Sequence, residues 1–290
     1  IGPASSTEST TDQFSSYRFT SGASSGAMLL FGSEQTYLFR LKYQAENPSI
    51  SIGQVQFSLP PDTPYQKVAY LDIQPRPRLL ETDKDGNWIA TFELAGKERI
   101  EVVASGYVTT YLSPVVGVKE SNPDPVYLEP KPFWERLDLF AFPSLIQAKD
   151  QPVITRARII YDIVIQQLSY GFTRLESANT TRLGVVGALE QPSQALCQEY
   201  TDLFISLARS NGIHAREING FAYTTNARFR PLSLLADVLH AWPEFYDPQS
   251  KRWIPVDPTW GDTTGGVDYF SRIGLSHIVF VRRGVSSTTP

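Results

Sequence analysis

Ala195-Leu-Cys-Gln-Glu-Tyr-Thr-Asp-Leu-Phe-Ile-Ser-Leu-Ala-Arg-Ser-Asn-Gly212 holds the only cysteine of the chain, Cys197, and reads as one helix. Tyr200, Leu203, Phe204, Leu207 and Ala208 recur at the 3.6-residue period, and Asn211-Gly212 supplies the stop signal. Cys197 therefore falls in the first turn. There the partial positive charge of the helix start favours a thiolate, the reactive form, over a thiol. Two aromatic and β-branched runs follow, Leu239-His-Ala-Trp-Pro-Glu-Phe-Tyr-Asp247 and Trp253-Ile-Pro-Val-Asp-Pro-Thr-Trp-Gly261, joined by a short polar segment in the manner of a hairpin. A helix that begins with cysteine, packed on a sheet that offers His240 and then Asp257, supplies a nucleophile, a base and an orienter. Such triads occur in several chain orders on unrelated folds, so distance is the test.

Length and composition bound the rest. At 290 residues the chain has room for about two domains. A net charge of −4 without a long Lys/Arg run argues against nucleic acid or an anionic membrane surface as the main partner. One cysteine excludes an internal disulfide framework, so stability must come from packing. No stretch approaches the roughly 20 apolar residues of a spanning helix, and no basic-then-apolar signal opens the chain. Ile1-Gly-Pro-Ala-Ser-Ser-Thr reads as a polar linker. An extracytoplasmic or membrane-anchored address, through segments outside this chain, is the expectation that goes with it, and a monomer is expected.

Residues 1–14 are Ser/Thr-rich and are expected to be loosely attached. Runs at 37–43, 50–59, 68–73, 87–94 and 99–104 are short, β-branched or aromatic, and broken by turn residues, which predicts an antiparallel sandwich over 15–113. Tyr37, Phe39, Leu41 and Tyr43 alternate with Leu38, Arg40 and Lys42, the pattern of a half-buried strand. Asp83-Lys-Asp-Gly-Asn87 is read as a hairpin loop. It opens like a calcium loop, but the bidentate acid such a loop needs at its twelfth position is here Leu94. Pro114, Pro123, Pro125, Pro130 and Pro132 mark 114–150 as a proline-rich linker and docking segment, stiff and extended rather than flexible. A helix is predicted over 155–168 with Ile159, Ile160, Ile163, Val164 and Leu168 on one side, then a loop from 173 to 192 carrying Gly184-Val-Val-Gly-Ala-Leu189. Residues 151–290 form the second domain.

The motifs resemble a known family. Cys197-x-x-Tyr-x-x-Leu-Phe, Gly212-Ile-His-Ala-Arg216 with Gly220, His240-Ala-Trp-x-Glu-x-Tyr and Val256-Asp-Pro-Thr-Trp-Gly are similar to the transglutaminase-like superfamily of papain-like thiol enzymes, and Asp268-Tyr-Phe and Ser276-His-Ile-Val-Phe-Val281 to the closing strands of its prokaryotic members. The resemblance implies an α+β chain: an N-terminal antiparallel β-sandwich, then a papain-like core whose cysteine helix packs on an antiparallel sheet bearing His and Asp. It makes Cys197 the nucleophile, His240 the base and acid, and Asp257 the orienter. Two positions depart from the family pattern. Gln194-Ala-Leu196 stands where many members have a glycine before the cysteine, and His214 replaces the usual proline.

A lone cysteine is more often a small buried hydrophobe, and the His and Asp motifs are what turn Cys197 toward catalysis. His240 could otherwise be a core histidine and Asp257 a turn former. The spacing of His214 and His277 matches no zinc signature, so neither metal nor cofactor is expected. Trp242, Trp260 and Tyr200 are candidates for the cleft wall. For the oxyanion, the Cys197 N–H and an amide from Gln191 or Gln194 are candidate donors, the two glutamines being equivalent by sequence. The reading is thioester chemistry on a protein or peptide amide, ending in water or a primary amine, with hydrolysis ranked slightly ahead. The alternative is an inactive envelope scaffold working through its sandwich, whose role would otherwise be positioning or substrate docking.

Overall fold

The computed structural model describes residues 17–21, 27–115, 123–176, 181–222, 239–270 and 272–290, with backbone alone for 17–21, 27–31 and 176. The expected loose segment 1–14 lies outside these residues. The first part is all β: β1 (Tyr17–Ser21), β2 (Ala27–Phe31), β3 (Glu34–Glu46), β4 (Gly53–Leu59), β5 (Gln66–Gln74), β6 (Leu79–Thr82), β7 (Trp88–Leu94) and β8 (Arg99–Tyr111). Strands β1 and β2 pair with each other, and the others form two antiparallel sheets in the orders β3-β8-β5 and β4-β7-β6. The predicted alternation holds in β3, where Tyr37, Phe39, Leu41 and Tyr43 are half-buried and Leu38 is exposed. Both sheets turn their inner residues into one core of Leu59, Ala90, Phe92, Leu94, Val102 and Ala104. This is the expected sandwich.

Asp83–Asn87 is the β6–β7 turn, closed by Asn87 N–H to Asp83 Oδ1 at 2.7 Å and by Gly86 at φ +83°. Its carboxylates and amide serve structure: Asp85 accepts from the Tyr127 hydroxyl at 2.8 Å, and Asn87 pairs with the backbone of Arg282.

Residues 123–142 lie within the expected linker and docking segment and carry more local structure than a plain extended run. They dock as a strap with short 3-10 turns at Pro125–Leu128 and Leu139–Ala141. Trp134 is fully buried and donates Nε1–H to Asp202 at 2.8 Å, and Glu129 O accepts from Arg209 at 2.7 Å. Prolines set the local backbone, but the aromatic anchors Tyr127 and Trp134 fix where the strap lies.

The second part holds α1 (Pro143–Gln147), α2 (Val153–Gln167), α3 (Phe172–Glu176), α4 (Gly184–Glu190), α5 (Cys197–Ser210), β9 (Ala215–Ala222), β10 (Leu239–Asp247), β11 (Arg252–Pro255), α6 (Pro258–Thr263) and β12 (His277–Arg283). The strands make one antiparallel sheet, β11-β10-β9-β12. The predicted loop at 173–192 is corrected in part: its Gly-Val-Val-Gly-Ala-Leu stretch is α4. Two glycines and two valines are poor helix formers, but Val185 and Ala188 are fully buried in the core shared with α5, and packing outweighs propensity. Helix α5 is sheathed on all sides. Its apolar face was legible, and Glu199, Asp202 and Arg209 on the other face are buried as well. None of the helices among the described residues is long and apolar enough to cross a membrane.

Candidate active site

Three elements deliver the site. Cys197 opens α5, where the N–H groups of the first turn have no partner within the helix. The turn is held from below. Glu199, fully buried, accepts from Leu196 N at 2.8 Å and Leu183 N at 2.8 Å and pairs with Arg174 at 2.9 Å. His240 stands on β10 opposite Gly220 of β9, and only a glycine fits there, because a Cβ would collide with Ile278 O of β12. Asp257 caps α6 by accepting Trp260 N–H on Oδ1 at 2.9 Å.

The sheet and α6 bring His240 and Asp257 into contact, Nε2 to Oδ2 at 2.7 Å, with both side chains fully buried. His240 Nδ1 is buried and has no hydrogen bond of ordinary geometry, so it is the nitrogen left for the thiol. Burial alone would depress the His240 pKa. The Asp257 carboxylate, helped by Cys197 on the same imidazole, carries it instead up to about 10. Burial pushes Asp257 the other way, but His240 first and His277 after it hold its carboxyl well below the usual carboxylate range.

His277 was missed as a site residue. From β12 it places Nε2 at 2.9 Å from the same Asp257 Oδ2. Burial and the neighbouring His240 charge lower its pKa, opposed by Asp257, so at neutral pH it is uncharged and its Nε2 carries the proton given to the carboxylate. His240, Asp257 and His277 offer atoms within 4.8 Å of one another, a set that could hold a metal, yet both close contacts have the length of N–H···O hydrogen bonds.

Residues 142–258 match the model of the transglutaminase-like superfamily. This segment is a transglutaminase-like domain. A solved structure described as a proposed cysteine protease from Cytophaga hutchinsonii shares the fold, at TM-score 0.55 and 14% identity over 88% of this chain and 86% of its own. The periplasmic domain of TgpA from Pseudomonas aeruginosa is similar at TM-score 0.35 and 18% identity over 79% and 72% of the two chains. Uncharacterised proteins of Mycobacterium tuberculosis and Mycobacterium bovis are 22% identical over 214 residues, 65% of this chain and 66% of theirs, just under two thirds of their length.

In the transglutaminase-like domain the remaining candidates fall as follows. Trp242 and Trp260 are buried, with their rings against the imidazoles: Trp242 lies 5.7 Å from His240 and Trp260 4.7 Å from His277, centroid to centroid. Tyr200 is fully buried and donates its hydroxyl to Asp262. Gln191 is exposed at the end of α4, and Gln194 is half-buried three residues before Cys197. Another candidate donor was not foreseen. Tyr170 bridges Ala195 in parallel, its hydroxyl is buried without a hydrogen bond, and burial first, then the nearby Cys197, keep the phenol protonated far above its ordinary range.

Proposed function

We propose that the protein is a cysteine-dependent acyl-transfer enzyme acting on protein or peptide amides, with Cys197, His240 and Asp257 as its triad. The supporting observation is the buried 2.7 Å contact of His240 Nε2 with Asp257, which leaves Nδ1 for the thiol that opens α5. The thiol proton rests on His240. The thiolate attacks the amide carbon, and the developing oxyanion takes hydrogen bonds from Cys197 N–H and from the Tyr170 hydroxyl or the amide of Gln191 or Gln194. As the C–N bond breaks, His240 gives its proton to the leaving amine, and a thioester remains on Cys197. A second nucleophile, deprotonated by His240, then expels the thiolate. Asp257 holds the ring and its charge throughout. Trp242 and Trp260 exclude water from the ion pair.

Water is the acceptor we favour, since it needs no shaped channel, whereas a lysine acceptor does. The test offers dimethylated casein to the wild type and to Cys197→Ala, with and without methylamine, and reads product masses. Hydrolysis or deamidation that requires Cys197 is expected. Methylamine incorporation would move the reading to transamidation, and identical products from wild type and Cys197→Ala would overturn it.

A further inference from the structure

Strand β12 lies beyond the segment that matches the family model, at the edge of the domain's sheet and facing the sandwich. An edge strand exposes unpaired N–H and C=O groups. Here two side-chain amides of the sandwich take the place of a neighbouring strand. Gln66 donates Nε2–H to Val279 O at 2.9 Å and accepts Val279 N–H on Oε1 at 2.8 Å. Asn87 does the same for Arg282, at 2.8 Å in both directions. Just before the strand, Leu275 O accepts from Thr110 at 2.6 Å and from Tyr37 at 3.1 Å. All four clamping residues belong to the sandwich, and His277 lies between the clamped points.

Asp257 therefore receives three donors from three directions: Trp260 N–H on Oδ1, and His240 and His277 on Oδ2. With His240 alone, Oδ2 would be fixed along one line only, and the second donor removes that freedom. His277 is locked in turn by the rings of Trp242 at 5.1 Å and Trp260 at 4.7 Å.

We infer that His277 is a positioning residue, which fixes Oδ2 of Asp257 so that His240 faces Cys197, and that the sandwich sets its place by clamping the β12 backbone through Gln66 and Asn87. This rests on the triad reading above. It gives the sandwich a role inside the active site with no residue in contact with Cys197. His277 does not take up the reacting proton. It holds the group that orients the imidazole, and a side-chain donor at the same place can substitute for it.

The test is the pH profile of Cys197 alkylation by iodoacetamide in the wild type, His240→Ala, His277→Leu and His277→Gln. Glutamine can set an N–H donor near the position of imidazole Nε2. His277→Leu is expected to lose the fast reaction below pH 7 by on the order of tenfold or more, and His277→Gln to recover most of it at an unchanged melting temperature. A purely structural histidine would show no such rescue. His277→Leu reacting like the wild type overturns the inference, while His240→Ala reacting like the wild type overturns the triad reading itself. Should His277→Leu fail to fold, ¹⁵N-histidine spectra of the wild type decide: the neutral Nε2–H tautomer is expected at His277, and the Nδ1–H tautomer contradicts the inference.

Discussion

In the sandwich, charged side chains pair in water: Lys42 with Glu101 at 3.6 Å and Arg99 with Glu46 at 2.8 Å, all of them at least 44% exposed. In the transglutaminase-like domain three pairs lie inside, Arg174 with Glu199 at 2.9 Å, Arg182 with Glu217 at 2.8 Å and Arg216 with Glu244 at 2.8 Å, none of these more than 10% exposed, while Arg158 pairs with Asp162 and Asp268 at the surface. Exposed pairs contribute little, because solvent screens them and both side chains lose freedom. Buried pairs gain little net stability after desolvation, yet removing one partner is costly. What the second region obtains is placement. The Glu199 carboxylate pins the backbone at both ends of the 183–196 segment that leads into Cys197, and the Asp257 carboxylate ties three elements together.

Four measurements bear on this contrast. The largest effect is expected from Asp257→Asn, a fall of ~10⁴-fold in acylation of Cys197 by p-nitrophenyl acetate, of the size seen where an orienting aspartate loses its charge. Next, Glu199→Ala should cost about 3–5 kcal/mol in urea unfolding by leaving Arg174 buried without its carboxylate. A loss near zero would mean that water already reaches that pair.

The pH dependence comes third. His240, raised in the fold, contributes stability that is complete below its unfolded value of about 6.5 and is lost as pH rises through about 10. Asp257, depressed in the fold, contributes stability present above its unfolded value of about 3.9 and lost as pH falls through its low native value. His277 is depressed too, but as a base, so the unfolded chain takes up a proton that the native one refuses, and stability falls as pH drops below about 6.5. Urea midpoints should decline at both ends, and His240→Ala should remove the decline between about pH 6.5 and 10. The smallest effect is expected in the sandwich. Glu46→Ala should change stability by about 1 kcal/mol or less, and a larger loss would mean that the contrast between the regions is overstated.

What was legible in the sequence follows the same division. Alternation in β3 and turn chemistry at Asp83–Asn87 are local signals, and both were readable. The motifs around Cys197, His240 and Asp257 are distinctive too, and His240 and Asp257 do meet. Helix α4 was not legible, because its glycines and valines argue against a helix until α5 is there to bury Val185 and Ala188. Glu199 sits two residues after the cysteine and could have been flagged as a helix-start acid, though nothing local shows that it is fully buried. His277 stood in a motif that marked a closing strand, and nothing in that motif pointed to the site. Its partner Asp257 is 20 residues away in the chain, and the amides that clamp its strand are about 200 away.

The central claim is that Cys197 and His240 form a thiolate–imidazolium pair held by Asp257. Its most direct test is the rate of Cys197 alkylation by iodoacetamide between pH 5 and 9, in the wild type and in His240→Ala. The pair requires fast alkylation well below the free-thiol value of about 8.5, with that acidic reactivity lost in the variant. Slow alkylation at acid pH, unchanged by removing the imidazole, would contradict it.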